Sequence, residues 1–85
     1  MHKYKLETTD KFEHTFEKLD AQQKLYITKA IDKILNDPLR GKRIQYKFKG
    51  SRSLRIGPFR LIYEIKGNIV QILMLDHRKR VYKRW

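Results

Sequence analysis

Apolar and polar positions alternate most regularly from Ser53 to Leu75, where SLRIGPFRLIYEIKGNIVQILML reads as three consecutive strands joined by two tight turns. Gly57-Pro58 suits a type II′ hairpin, because Gly takes the positive φ of the first central position and Pro accepts the second. Gly67-Asn68 is a second two-residue turn of the same kind. Turns this tight fix the register. They set Ile56 opposite Phe59, Arg55 opposite Arg60, Leu54 opposite Leu61 and Ser53 opposite Ile62. Strand side chains alternate between faces. One face is therefore predicted to carry Leu54, Ile56, Phe59, Leu61, Tyr63, Ile65, Val70, Ile72 and Met74, and to form the core. The other carries Ser53, Arg55, Arg60, Ile62, Glu64, Gln71, Leu73 and Leu75 and is expected to be open.

Upstream, Lys3 to Glu7 alternates as a short strand, with Tyr4 and Leu6 inward. Thr8-Thr9-Asp10 opens a helix, with Asp10 and Glu13 spaced as a capping box. Phe12, Phe16 and Leu19 follow at helical spacing and read as core. Asp20 and Gln23 repeat the cap signal for a second helix running to Leu35. Ile27, Ala30, Ile31 and Ile34 form its apolar stripe, with Tyr26 and Leu35 at the edges. Asn36-Asp37-Pro38 ends it, since proline disfavours helical backbone in the residue before it. Two helices joined so closely form an antiparallel hairpin, and only the apolar sheet face can cover them. The expectation is an α+β fold in the order β-α-α-β-β-β: an N-terminal strand, then a helix hairpin packed on one face of a mostly antiparallel sheet. At 85 residues it is one domain spanning 1–85. Leu39 to Arg52 stays open between an edge strand, from the alternation of Ile44, Tyr46 and Phe48, and a basic loop bracketed by Gly41 and Gly50.

Charge changes the picture most. The chain has 21 Lys+Arg against 9 Asp+Glu, a formal net of +12. Such a domain is expected to meet a polyanion: nucleic acid, an acidic protein or an anionic membrane surface. The cations concentrate from Arg40 to Arg60 and from Arg78 to Arg84, while nearly all the acids precede Pro38. No cysteine is present, which excludes disulfides and thiolate metal sites and fits a reducing cytoplasmic setting. No apolar run approaches a membrane span, and MHKYKLETTD lacks a signal-peptide apolar region.

Several chemistries have no residues to carry them. There is no Gly-rich phosphate loop, GxSxG elbow, Cys nucleophile or HExxH spacing, and the acids fall on the helices. No cofactor and no metal are expected. What remains is arginine with tyrosine nearby. Arg55 and Arg60, side by side, destabilise a sheet by roughly 0.2–1 kcal/mol. Either an anion sits between them, or they splay into water with Glu64 in partial compensation. RNA brings its own nucleophile, the 2′-OH, so cleavage needs alignment, positive charge for the crowded phosphate and proton transfer at each end. Arginine is a poor base. Tyr82, which would need its pKa lowered by surrounding cations, and His77 are the acid–base candidates; a lone His at a strand end is more often structural. Lys47 and Lys49 suit phosphate binding, whereas Tyr46 and Phe48 beside them fit an edge kept basic against aggregation. His77-Arg78-Lys79-Arg80 forms a further positive cluster. Trp85, beyond Lys83 and Arg84, is either a base-stacking platform or an idle terminal residue.

Leu54-Arg55-Ile56-Gly57-Pro58-Phe59-Arg60-Leu61-Ile62-Tyr63-Glu64 and Asp76-His77-Arg78-Lys79-Arg80-Val81-Tyr82 together resemble the two signature segments of the RelE/ParE superfamily of toxins from toxin–antitoxin pairs. The likeness in element order covers nearly the whole chain. It implies a RelE-like toxin of a type II system: a ribosome-dependent, metal-independent endoribonuclease that cuts mRNA and arrests translation. By position it makes Arg60 the arginine that stabilises the cleaved phosphate, Arg78 the second arginine and Tyr82 the terminal tyrosine. Arg55 falls where one family type has a lysine. Ser53 falls where that type has another, so one cation is missing unless Arg52 or Lys49 substitutes. Arg52, Lys47, Lys49, Arg80, Lys83 and Trp85 are the expected RNA contacts. The implied partners are an acidic, partly disordered RelB-like antitoxin, the ribosome and mRNA, with no membrane. ParE-type members of the same fold poison DNA gyrase instead, and generally lack the paired arginines and terminal tyrosine. A non-catalytic nucleic-acid-binding module would need the charge but not the pairing.

Overall fold

Gly57 and Gly67 take positive φ, at 56° and 59°, the backbone that lets a two-residue turn follow the twist of its strands. They join β3 (Arg52–Ile56), β4 (Phe59–Lys66) and β5 (Ile69–His77) into an antiparallel meander. The computed structural model describes residues 3–43 and 50–77, at residue 77 the backbone only. Ahead of the meander come β1 (Lys5–Thr8), α1 (Asp10–Glu17), α2 (Ala21–Asn36), a 3-10 turn at Pro38–Arg40 and a two-residue β2 (Lys42–Arg43). The sheet order is β1-β5-β4-β3-β2, with β1 parallel to β5 and every other pair antiparallel. The expected α+β architecture is therefore present. The ambiguous segment resolves into the 3-10 turn and β2; its predicted alternation at Ile44, Tyr46 and Phe48 lies outside the described residues.

The hairpin register is the expected one: Ile56 faces Phe59, Arg55 faces Arg60, Leu54 faces Leu61 and Ser53 faces Ile62. The next pairing departs from strict alternation. Ile62 is opposite Met74 but Tyr63 is opposite Ile72, so Leu73 is an extra residue, a β-bulge. One inserted residue reverses the faces beyond it. Leu75, expected on the open face, joins the core with Leu61, while Met74, expected in the core, packs with Ile62 and Leu73 on the other side. That second face is consequently not bare: Ile62 and Met74 are buried. The same phase change places Asp76 opposite Arg60.

The helix hairpin covers the main core. Phe12 is buried on α1 and stacks on Phe16, ring centroids 5.5 Å apart. Ile27, Ala30, Ile31, Ile34 and Leu35 bury the inner face of α2, and Tyr26 remains exposed. Asp20 and Gln23 close the expected capping box. The start of α1 differs: Thr9, not Asp10, is the N-cap. Its hydroxyl accepts from the Phe12 N–H at 3.2 Å and donates to the Leu73 carbonyl at 2.7 Å. One oxygen thus satisfies a helix-end donor and ties α1 to the bulge. Tyr4 packs against the core, whereas Leu6, opposite Val70, stays 44% exposed on the edge strand. No helix among the described residues is long and apolar enough to cross a membrane.

Replacing Thr9 by Ala is expected to cost about 1–2 kcal/mol, the upper range for a cap, because the bulge contact goes with it. Asp10→Ala, removing only a first-turn charge, should cost under about 1 kcal/mol. Urea titration of the two variants checks the order; the reverse order would return the cap to Asp10.

Candidate functional site

Arg55 and Arg60 are direct cross-strand partners on the face away from the helices. Arg60 is half-buried, and its Nη1 donates to the Ser53 Oγ at 2.9 Å, one diagonal step back along β3. Its other cross-strand partner is Asp76, 8% exposed. A buried serine hydroxyl and the register of both neighbours thus constrain Arg60, while Arg55 remains exposed. Like charges this close are tolerated more readily when a carboxylate stands in the adjacent row, which the bulge supplies.

Both arginines line a cleft of about 310 Å³, whose other walls are Arg40, Lys42, Ser53 and Leu54. No carboxylate lines it among the described residues. Four cations around one small concavity make an anion site by simple electrostatics, and the fork of an arginine matches the oxygens of a phosphate. A larger cleft of about 780 Å³ lies between α1 and the ends of β4 and β5. It mixes Lys11, His14 and Lys18 with Asp10 and Asp76, so its field is weaker and its preference for an anion less defined.

Arg40 and Lys42 were not singled out by sequence. Lys42 pairs with Ser53 across β2 and β3, which sets a cation beside that serine on the neighbouring strand. Arg52, one of the two expected substitutes, lies elsewhere. By register it shares the helix-side face with Leu54 and Ile56, and its Nη1 donates to the carbonyls of Gly41, at 2.8 Å, and Leu39, at 3.2 Å. Strand parity alone carries this information: residues 52, 54 and 56 point together. Lys47, Lys49, Arg78, Arg80, Tyr82, Lys83 and Trp85 lie outside the described residues. His77 is the last residue of β5, opposite Phe59.

Tyr63 completes the support of the turn. Its hydroxyl donates to the Pro38 carbonyl at 2.7 Å and accepts from the Gly41 N–H at 3.0 Å. The ring is fully buried in the main core. Burial pushes the Tyr63 hydroxyl above the ordinary tyrosine value, more than the Gly41 hydrogen bond and the Arg52 charge lower it. The group therefore stays a neutral donor. Gly41 has no room for a side chain: a Cβ there would lie 2.6 Å from the Tyr63 hydroxyl oxygen and 2.8 Å from the Ser53 carbonyl oxygen.

A family model described as the ParE toxin of the type II toxin–antitoxin system, parDE, matches residues 6–82. Among solved structures, the toxin–antitoxin complex RelBE2 from Mycobacterium tuberculosis contains a chain 30% identical to this one, at a TM-score of 0.79, covering 88% of this chain and 98% of that one. The archaeal RelE-RelB complex from Pyrococcus horikoshii OT3 matches at 19% identity and a TM-score of 0.76, over 92% and 98% of the two chains. YafQ from E. coli strain BL21(DE3) matches at 16% identity and 0.74, over 93% and 98%. At those lower identities the likeness is one of fold. Among curated protein sequences none matches significantly.

The raised Tyr63 pKa fixes the sign of a pH effect. A group protonated more readily in the folded state contributes fully below its unfolded pKa and loses that contribution as pH rises through the folded one. Tyr63→Phe is expected to cost about 1–3 kcal/mol at neutral pH, because the Gly41 N–H and Pro38 carbonyl lose their partner. The gap between wild type and variant should narrow above the ordinary tyrosine value of 10.0. Urea unfolding at neutral and strongly alkaline pH checks it; a gap unchanged with pH would show that this hydroxyl does not titrate differently on folding.

Proposed function

This chain belongs to the ParE toxin family of type II toxin–antitoxin systems, within the RelE/ParE superfamily, and from that premise we propose that it is a ribosome-dependent endoribonuclease that cleaves mRNA and arrests translation. The observation that carries this reading is the facing of Arg55 and Arg60 in a cleft otherwise lined by Arg40, Lys42, Ser53 and Leu54. A phosphodiester seated there meets positive charge on several sides. The 2′-oxygen attacks phosphorus, a 2′,3′-cyclic phosphate forms, and the bond to the 5′-oxygen of the next nucleotide breaks. The 2′-OH proton passes to a base, and the departing 5′-oxygen takes up a proton. Arg60, anchored by Ser53, places its positive charge beside the non-bridging oxygens as charge grows on them, with Arg55 alongside. Donors fixed before the reaction stabilise that charge without reorganising.

Arg78 is the second phosphate-binding arginine in this reading, and Tyr82 or His77 moves the protons. Lys47, Lys49, Arg80 and Lys83 hold flanking phosphates, and Trp85 stacks on a base. Arg52 is fixed to the turn by its two carbonyl contacts, and its part is indirect. An acidic, RelB-like antitoxin is the natural neutralising partner for a chain of net charge +12. The Mycobacterium structure is a toxin–antitoxin complex, and the Pyrococcus one is a RelE-RelB complex. The site of action is the ribosome, in the cytoplasm.

The ParE description of the matching family favours one alternative, a toxin that poisons DNA gyrase. Against it weigh the paired arginines, which suit stabilisation of charge on a cleaved phosphate.

Primer extension on a translated message should show cleavage by wild type, reduced about 100- to 1,000-fold in Arg60→Ala, as for loss of one preorganised donor. Equal cutting by both would remove Arg60 from the mechanism, and gyrase–DNA adducts without RNA cutting would establish the alternative. In the same assay Tyr82→Phe should impair cleavage more than Trp85→Ala; the opposite order would make stacking matter more than the hydroxyl. Binding to the antitoxin should weaken as salt is raised, whereas an affinity flat in salt would indicate a mainly apolar interface.

A further inference from the structure

We propose that Arg40 and Lys42 are RNA-contacting residues, and that Tyr63, Arg52 and Gly41 are positioning residues that hold them at the cleft. The inference deepens the RNA reading of the site and rests on it. It begins with a turn that has little structure of its own. Between α2 and β2 the backbone makes one 3-10 turn, Pro38–Arg40, closed by the Arg40 N–H on the Asp37 carbonyl at 3.1 Å. Regular pairing resumes at Lys42. A single 3-10 turn is not rigid by itself.

Its rigidity comes from the opposite side of the sheet. The Tyr63 hydroxyl takes the Pro38 carbonyl and the Gly41 N–H. The Arg52 guanidinium takes the Leu39 and Gly41 carbonyls. Four backbone groups within four residues are thus satisfied by two side chains that are themselves cross-strand partners. The glycine is what allows the approach, since a Cβ at Gly41 would strike both the hydroxyl and the Ser53 carbonyl. While the turn's backbone is held against the core, Arg40 and Lys42 remain exposed and line the cleft with Arg55 and Arg60.

The chemistry of these positions separates two tasks. Arg55 and Arg60 grip one phosphate, and Arg40 and Lys42 line the same concavity. They suit the next phosphate of a single strand, whose register they would fix. Each phosphate neutralised adds a released counterion, which appears in the salt dependence of binding and not merely in its strength. A positioning role therefore has a signature that lost stability does not share.

The test is binding of a non-cleavable 2′-O-methyl single-stranded RNA oligonucleotide over a range of NaCl concentrations, by fluorescence anisotropy. Arg40→Ala and Lys42→Ala are each expected to lower the slope of log affinity against log salt by about 0.7, the value for one single-strand phosphate contact. Tyr63→Phe, with a native circular dichroism spectrum, is expected to lower it by about 1.4, as for loss of both contacts, and adding Arg40→Ala and Lys42→Ala to it should lower it little further. Arg52→Lys keeps the charge but not the forked contact, and serves if Tyr63→Phe fails to fold; it too should lose slope. Unchanged slopes in Arg40→Ala and Lys42→Ala, with a lowered slope in Arg60→Ala, would overturn this inference and leave the RNA site standing. Full additivity of Tyr63→Phe with both alanine variants would overturn the positioning role. No salt-dependent binding by wild type would overturn both.

Discussion

Where β5 carries its extra residue, the Thr9 hydroxyl donates to the Leu73 carbonyl at 2.7 Å while capping α1. Everything beyond that point in β5 depends on the phase the bulge sets. With strict alternation, Asp76 would share a face with the apolar core, where an unpaired carboxylate costs several kcal/mol. With the bulge, Leu75 fills that position and Asp76 stands beside Arg60. The first turn of α1, the composition of the core and the electrostatics of the site are settled by one insertion. Bulges commonly occur where a sheet has to re-aim a side chain, and here the re-aimed group is the acid next to the central arginine.

The paired arginines and the two side chains that support the turn lie on opposite faces of β3 and β4, and alternation makes that division automatic. Ser53 and Arg55 point to one face of β3, while Arg52, Leu54 and Ile56 share the other. Arg52 and Arg55 are three residues apart and chemically identical, yet one clamps backbone and the other is free to meet solvent or ligand. A count of basic residues treats them alike; their parity does not. Tyr63 shows the same economy, with its ring in the core and its hydroxyl on the turn. Such amphipathic residues let a domain too small for a large core use it twice.

What could be read from sequence follows from where the physics was local. Two-residue turns with glycine fixed the hairpin register, and with it the Arg55–Arg60 pair. The stripe of α2 and its Asp20–Gln23 cap were legible for the same reason. The bulge was not, because Leu73, Met74 and Leu75 are all apolar and both phases of the pattern read equally well. Thr9 and Asp10 are both good caps, and the choice between them was made by a carbonyl 64 residues away. Arg40 and Lys42 entered the cleft through the Tyr63 and Arg52 contacts, which are tertiary. The basic cleft was thus visible in outline, while two of the four cations that line it among the described residues were hidden in a segment that no local rule organises.

Among the described residues β1 pairs with β5 alone: Lys5 lies beside Ile69 and Thr8 beside Ile72. Parallel neighbours need a long crossover, and here the crossover is nearly the entire chain. During synthesis the amino-terminal segment therefore has no place to dock until the carboxy-terminal strand has left the exit tunnel. A chain interrupted before that moment lacks the strand that joins β1 to β4, and with it the acid beside Arg60.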